Sequence, residues 1–495
     1  MPVRAIIILH LFYCSSLFSQ SVPGSEKLFF SRQFDALKKN VPLTILNNHP
    51  DHFYLLRYNK LAHDLVIERR AKPSGEMVAY TPLKLDSVNA NWFNYEELGH
   101  LFYEWNNHVY FLFEKELNFR KEIYLKITDS AGRSSGFIEL AMLEKDAATF
   151  SIDFSYQPLS RGRLLIVSTR STVNGIRRRI AMLYDPEKRE LTWTKKLPLE
   201  NIYSNLTANF GCNDAGDLFY LAMKSGDRAV DETAERPDSL FLVTWRSASE
   251  APERTHMNTN LLHEIKNSIM VTGSGEPLVI VQGFNSDAKR TREFFLVYQP
   301  DSSGIKRVST PMEGKLEKQL TFYDGPFKES WLKYHNLLKI IPGDSSVDLL
   351  LERVEQYYSK ELIFLSVNKH TGAVTTQKLI PRKLLFFRER NRFKNLGTVM
   401  LSSFRQRPSF IMLESPANFS KTARDFSYHQ FTRETSLWRT NVVMYTLEAD
   451  GELSKELIYR NAEFDLIPLR YESTYEGDIV FYLNSGRYEK FGFIH

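Results

Sequence analysis

A recurring strand phrase constrains what this chain can fold into. Its plainest copy is Asn441 to Tyr459, NVVMYTLEADGELSKELIY. Val443, Tyr445 and Leu447 alternate to one side, Asp450 and Gly451 reverse the chain, and Leu453 to Tyr459 run back. Alternation with a period of two on both sides of an Asp-Gly turn is the pattern of a β-hairpin.

The same hairpin recurs from Asp64, Glu122, Arg179, Leu240, Phe294 and Leu362. Each copy follows another apolar strand, beginning near His52, His108, Arg163, Asp217, Pro277, Val347 and Pro408, and an eighth such strand begins near Asp478. These starts lie about 55 to 70 residues apart, the span of a four-stranded repeat with its loops. Gly75, Gly132, Gly304, Gly372 and Gly451 occupy matching turn positions, where a backbone with positive φ reverses the chain without splaying the strands. A shorter apolar segment ahead of each phrase supplies a first strand: Leu43 to Leu46, Leu98 to Glu104, Phe150 to Phe154, Leu206 to Phe210, Ile265 to Val271, Asn336 to Ile341, Gly397 to Leu401 and Leu466 to Tyr471. The last unit lacks its fourth strand, which would leave a sheet edge unpaired. Lys27 to Phe34, apolar and without a hairpin of its own, is expected to fill that position.

This arrangement resembles a β-propeller closed by joining its two ends. The resemblance is at the level of fold, to WD40-like and quinoprotein-like propellers, and implies an all-β chain of eight four-stranded blades. Seven is the alternative if Leu43 to Leu85 and the final segment share one blade. The Trp-Asp ending of WD40 blades, the paired glycines of kelch blades and the Asp box of sialidases are all missing. Thr192-Trp193 resembles one copy of the tryptophan phrase of quinoprotein propellers, but the other units do not repeat it, so no cofactor is expected.

Composition agrees with a large buried core: 43% of the 495 residues are apolar and 13% aromatic. The formal charge of +5 is spread thinly and gives no reason to expect a nucleic-acid partner. Met1 to Ser19, with Arg4 followed by an apolar run and then small or polar residues, reads as a secretory signal peptide. Residues 20–495 then form the propeller domain in a secreted, periplasmic or extracellular compartment. No later apolar run reaches the ~20 residues that a spanning helix needs. Cys14 lies within the leader behind Leu11, Phe12 and Tyr13, whose bulk disfavours acylation of Cys14 as a lipoprotein anchor. Cys212 is then the sole thiol of the mature chain, flanked by apolar and turn residues, and is expected to be buried and inert.

In an up-and-down blade, the turns after the first and third strands share one face and the links after the second and fourth share the other. The chain spends its extra length on the second face, in Asp86 to Glu96, Lys224 to Asp238, Pro311 to Lys333, Ile380 to Lys394 and Ser415 to Thr440. Long loops on a rigid scaffold commonly carry function, so that face is the expected binding surface. Phe327, Trp331 and Tyr334 offer rings beside Asp324 and Glu329, a set suited to sugar or peptide contact, although such rings commonly pack a loop onto its scaffold. Arg382, Lys383, Arg388, Arg390, Arg392 and Lys394 form a basic run that could hold a carboxylate, an acidic glycan or a lipid head group. Tyr428, Arg433 and Trp438 join Asp425 and His429 in the last insertion. A helical turn there would bring Asp425 to His429 for acid or base work.

His49 and His52 have ligand-like spacing, but Pro50 and Asp51 mark a turn and no third ligand can be assigned from the sequence, so no metal site is expected. Phosphate loops, paired cysteines, His-Glu-x-x-His and Gly-x-Ser-x-Gly are absent. The sequence therefore points to a secreted, non-catalytic binding or scaffold propeller of the cell envelope or extracellular space, recognising a protein or glycan. The alternative is a polysaccharide-active lyase or hydrolase using Asp425 and His429.

Overall fold

Strands form where the alternating phrase places them, and consecutive strands pair as antiparallel neighbours. The computed structural model describes residues from Leu28 onward, apart from short stretches at turns and the longer runs 84–100, 198–209, 225–238, 312–334, 387–399, 420–428 and 432–440. Among the described residues the only helical segments are two short 3-10 turns, Ser160–Gly162 and Pro416–Asn418, and the rest of the regular structure is β. The third sheet illustrates the plan: Thr149–Pro158, Leu164–Thr172, Gly175–Asp185 and Glu190–Leu197 pair in chain order, each antiparallel to the next. Among the described residues, sheets of strands taken in chain order cover residues 40–82, 102–144, 149–197, 210–257, 264–311, 335–380 and 400–460, giving seven, the last without the intervening strand His429–Phe431. An eighth, the closing sheet, is assembled from both ends of the chain. The fold is a single all-β propeller of four-stranded blades.

In the closing sheet, Asp465–Leu466, Ile479–Asn484 and Tyr488–Ile494 come from the C-terminal part, and the N-terminal segment supplies the outer position. Leu28–Phe30 pairs antiparallel with Ile494 to Gly492, and Phe34–Asp35 with Glu489 and Tyr488, as expected for Lys27 to Phe34. Between them Ser31 keeps the ladder intact: its backbone N–H donates to Phe491 O at 2.8 Å, and its hydroxyl accepts from the Phe491 N–H at 2.9 Å. The inner strand of the last unit differs from expectation. Leu466 to Tyr471 is split, with Asp465–Leu466 on the closing sheet while Arg470–Glu472 crosses to the first sheet and pairs in parallel with Thr44 to Leu46.

Gly75 and Gly451 sit in their turns with φ of 70° and 79°, the left-handed backbone the phrase requires. Gly132 does likewise at 80°, whereas Gly304 opens the strand Gly304–Pro311 and Gly372 lies outside the described residues.

The core sits in the seams between sheets. Phe481, Phe491 and Phe493 of the closing sheet fill the gap between Ile411, Val442 and Met444 on one side and Ile45, Phe53 and Leu55 on the other, so the closing sheet is packed by the seventh and first sheets. Similar apolar seams join the first sheet to the second, the second to the third, the third to the fourth and the sixth to the seventh. Cys212 is buried in the third-to-fourth seam, and burial pushes its thiol up to about 12, so it is the inert thiol expected.

One polar group lies inside the closing seam. Arg57 and Arg70 of the first sheet meet Glu68 of the same sheet and Glu489 of the closing sheet, and all four side chains are at most 4% exposed. Arg57 reaches Glu68 and Glu489 at 2.8 Å each, and Arg70 reaches the same two at 2.7 and 3.2 Å. Tyr482 OH donates to the second oxygen of Glu489 at 3.0 Å, and the Arg70 guanidinium lies 4.8 Å from the Phe491 ring centroid. Burial opposes the charge on Arg57, but Glu68 and Glu489 outweigh it and hold its pKa above the ordinary arginine value. Removing one member of such a group strands buried charge. Glu489→Gln is therefore expected to cost about 3 to 5 kcal/mol in urea unfolding. Glu76→Gln, which removes only the exposed pair with Arg32 at 3.2 Å, should change stability by no more than about 0.5 kcal/mol. Equal losses in the two variants would refute this role for the four buried charges.

Candidate functional site

Most of the residues that the sequence singles out fall within the long insertions. Phe327, Trp331, Tyr334, Arg388, Arg390, Arg392, Asp425, Tyr428, Arg433 and Trp438 lie outside the described residues. His429 is described and begins the strand His429–Phe431, so the helical spacing that would bring it to Asp425 does not run through His429. That strand pairs in parallel with Leu384–Phe386, which in turn pairs with Tyr358 and Ser359 at the rim of the sixth sheet. Two insertions separate in sequence, Ile380 to Lys394 and Ser415 to Thr440, are thereby joined edge to edge on this face.

Arg382 departs from its expected role. It is buried, and its Nη1 donates to Glu352 at 2.9 Å, beside a second buried pair, Arg353 and Glu361, at 3.3 Å. In the sequence Arg382 belongs to a basic run that could hold an anionic ligand. Its charge is instead paired at the sixth sheet, where Glu352 stands on the strand Ser346–Glu355.

The opposite face consists of short turns, and one of them gathers titratable groups. Asn47 to Asp51 connects the strands Asn40–Leu46 and His52–Asn59; Pro50 bends it and turns His49 back over His52. The imidazoles of His49 and His52 stack with centroids 4.1 Å apart and planes 15° from parallel. Each ring has its own carboxylate. His52 Nδ1 lies 2.8 Å from Asp51 Oδ1, and His49 Nε2 makes a short hydrogen bond to Glu104 of the second sheet. Asn48 Nδ2 also donates to Glu104, at 3.3 Å. On the other flank Lys72 Nζ donates to His49 O and pairs with Asp478 of the closing sheet at 2.8 Å, while Asn47 Nδ2 donates to Tyr471 OH at 2.8 Å and Asp478 O at 2.9 Å. The turn is thus held by both neighbouring sheets.

A carboxylate can only accept, so Asp51 places the His52 proton on Nδ1 and leaves Nε2 with its lone pair. That Nε2 is buried without a hydrogen-bond partner among the described residues. Burial lowers the pKa of His52, outweighing the bond to Asp51, and the charge of His49 adds to the effect. The hydrogen bond from His52 holds Asp51 below the usual carboxylate range, and burial with the nearby Glu104 pushes Tyr54 up to about 12. Burial also lowers Lys72, against the pull of Asp478. His49, Asp51 and His52 bring one donor atom each within 4.8 Å of one another. The rings lie face to face, so their in-plane lone pairs run side by side, and one ring must turn out of the stack before both share an ion. In the sequence the spacing of His49 and His52 stands out and Asp51 has the character of a turn residue, whereas Glu104, Lys72 and Asp478 arrive from distant parts of the chain, for which spacing carries no signal.

No protein-family model matches the chain, and no curated protein matches it in sequence. Solved structures do match in fold. The β-propeller domain of the Trilobed protease from Pyrococcus furiosus is similar over 85% of this chain and 98% of its own, with 8% identity and a TM-score of 0.40. Pyrococcus horikoshii acylaminoacyl peptidase is similar over 90% of this chain but only 59% of its own length, with 9% identity and a TM-score of 0.39. Polysaccharide lyase Uly1 is similar over 71% and 94% respectively, with 10% identity and a TM-score of 0.33. The sheet topology itself shows the propeller, and the chain is a divergent β-propeller that no family model matches.

The histidine turn makes a measurable demand on pH. His52 has a folded pKa below its unfolded value of 6.5, so between those two values the unfolded chain binds more protons and stability rises with pH. The contribution is complete above 6.5 and is lost as the pH falls through the folded value. Thermal unfolding of the wild type at pH 7.5 and pH 5.5 should show a drop that His52→Gln makes shallower. An unchanged drop would mean that His52 does not titrate as its burial dictates.

Proposed function

We propose that this chain is a secreted, non-catalytic β-propeller that binds a protein or glycan through its long-link face. The observation that carries the reading is the joining of Leu384–Phe386 to His429–Phe431, which turns two separate insertions into one elaborated rim beside the sixth sheet. The opposite face is made of short turns tied across the seams, a design that favours rigidity over recognition. A scaffold with one tied face and one elaborated face suits binding on the second. The leader-like Met1 to Ser19 supports export, and no helix among the described residues is long and apolar enough to cross a membrane.

Replacing residues 420–440 with a short Gly-Ser linker provides the test, with thermal unfolding used to confirm that the ring persists. Wild type should capture a discrete ligand on a glycan array or from extracellular extract, and the variant should bind that ligand at least about tenfold more weakly, equivalent to about 1.4 kcal/mol. Equal affinity in a folded variant would remove this rim from the binding surface.

A further inference from the structure

We propose that Arg179 is the centre of a carboxylate-binding site at the long-link end of the seam between the third and fourth sheets. Arg179 lies in the strand Gly175–Asp185, opposite Thr169 on one neighbour and Leu197 on the other. Alternation along that strand puts it on the same face as Ala181 and Leu183, which line the seam with Phe210 and Tyr220 of the fourth sheet. Its described neighbours across the seam are therefore apolar. The guanidinium carbon lies 5.9 Å from the Phe210 ring centroid, and the side chain is 1% exposed.

Three arginines are among the largest fully buried side chains, Arg57, Arg179 and Arg382. Arg57 is paired with Glu68 and Glu489, and Arg382 with Glu352. Arg179 has no ion pair among the described residues, and its Nε and Nη2 are both buried without a hydrogen-bond partner. Burial alone acts on it, lowering its pKa to about 10, so it still carries its charge at neutral pH. A buried cation without a counter-charge is unfavourable, and the chain supplies glutamates for its other two. Nε and Nη2 are adjacent donors of one planar fork, the geometry that two oxygens of a carboxylate match. Thr169, buried and directly opposite on the neighbouring strand, adds a hydroxyl-bearing side chain to the same face.

Position also favours a ligand. Leu197 ends the last strand of the third sheet and Phe210 begins the first strand of the fourth, so Arg179 sits where the chain crosses between sheets on the long-link face. This seam is separate from the rim of the sixth sheet, and the proposal stands whether or not that rim binds anything.

The test uses the full chain in a chloride-poor buffer, with sodium acetate, sodium glucuronate, sodium sulfate and sodium chloride compared at equal ionic strength. In the wild type, acetate or glucuronate should raise the thermal midpoint saturably and beyond the effect of chloride. Arg179→Lys should weaken the apparent affinity about tenfold, since the ammonium keeps the charge without the fork. Arg179→Met should abolish the shift while raising the midpoint in plain buffer, because it removes buried charge. A wild type without a saturable carboxylate shift overturns the proposal even if Arg179→Met fails to fold. Retention of the shift in a folded Arg179→Met, or an equal shift with sulfate, would overturn it too.

Discussion

The ring depends on one seam. A chain of hairpin modules has two open edges, and unpaired strand edges must be paired, covered or blunted. Here the N-terminal strand Leu28–Phe30 covers the outer edge of Tyr488–Ile494, and the buried Arg57, Glu68, Arg70 and Glu489 tie the neighbouring blade to the same strand. The two devices act on different parts of the problem. Backbone pairing completes the sheet, whereas the four charges fix how that sheet stands against the first one. They tolerate burial because each carboxylate meets both guanidiniums, and because Phe34 and Phe491 stack on Arg70. The turn at Gly75 packs onto the same corner: Arg70 Nη1 donates to Gly75 O at 2.8 Å, and a Cβ on Gly75 would lie 2.8 Å from the Cβ of Ser31.

The two faces of the propeller differ in how the seams end. On the short-turn side, polar groups cross from sheet to sheet. Lys72 reaches Asp478 and His49 reaches Glu104, while Tyr103 OH donates to Gly162 O at 3.2 Å. Arg163 pairs with Asp214 at 3.1 Å, and Trp193 Nε1 donates to Gly216 O, also at 3.1 Å. These contacts are buried or part-buried, and they recur at successive seams and hold the turns in register. The histidine stack belongs to this series, and its position between the closing and second sheets explains why its partners come from both sides. On the other face, Leu384–Phe386 and His429–Phe431 extend the rim of the sixth sheet beyond its four strands.

Much of the architecture was legible because the blades are local. Alternation around Asp450-Gly451, or in HFYLLRYN from His52, reports which side of a strand is buried, and neighbouring strands pair with each other. The closing strand was legible too, by subtraction, since Lys27 to Phe34 had no partner nearby. The split of the last inner strand was not. Arg470–Glu472 pairs with Thr44 to Leu46 because of where the ring brings the two ends, and no local pattern distinguishes that from one continuous strand. The site was harder still. Arg382 reads as one more surface cation until Glu352 is placed beside it. Glu104 reads as the polar end of an inner strand until His49 folds over it. A charged side chain has no intrinsic burial, and its fate depends on a partner that spacing cannot supply.

Closure also has a kinetic side. The Ser31 to Phe491 bond joins residues separated by 460 positions, and contacts so distant in sequence are slow to form from an unfolded chain. The entropy of closing a loop, however, grows only with the logarithm of its length. The meander sheets between the ends form from neighbouring strands, and each apolar seam sets the next sheet against the last. Once those sheets are stacked, the two ends are already near each other, and the remaining cost is that of ordering a short N-terminal strand. The buried charges then act as a selection step. Arg57 and Arg70 are satisfied only when Glu489 arrives in register, so a ring closed one residue out of step would leave both guanidiniums buried beside a single carboxylate, and that penalty disfavours the wrong register more strongly than apolar contact alone could.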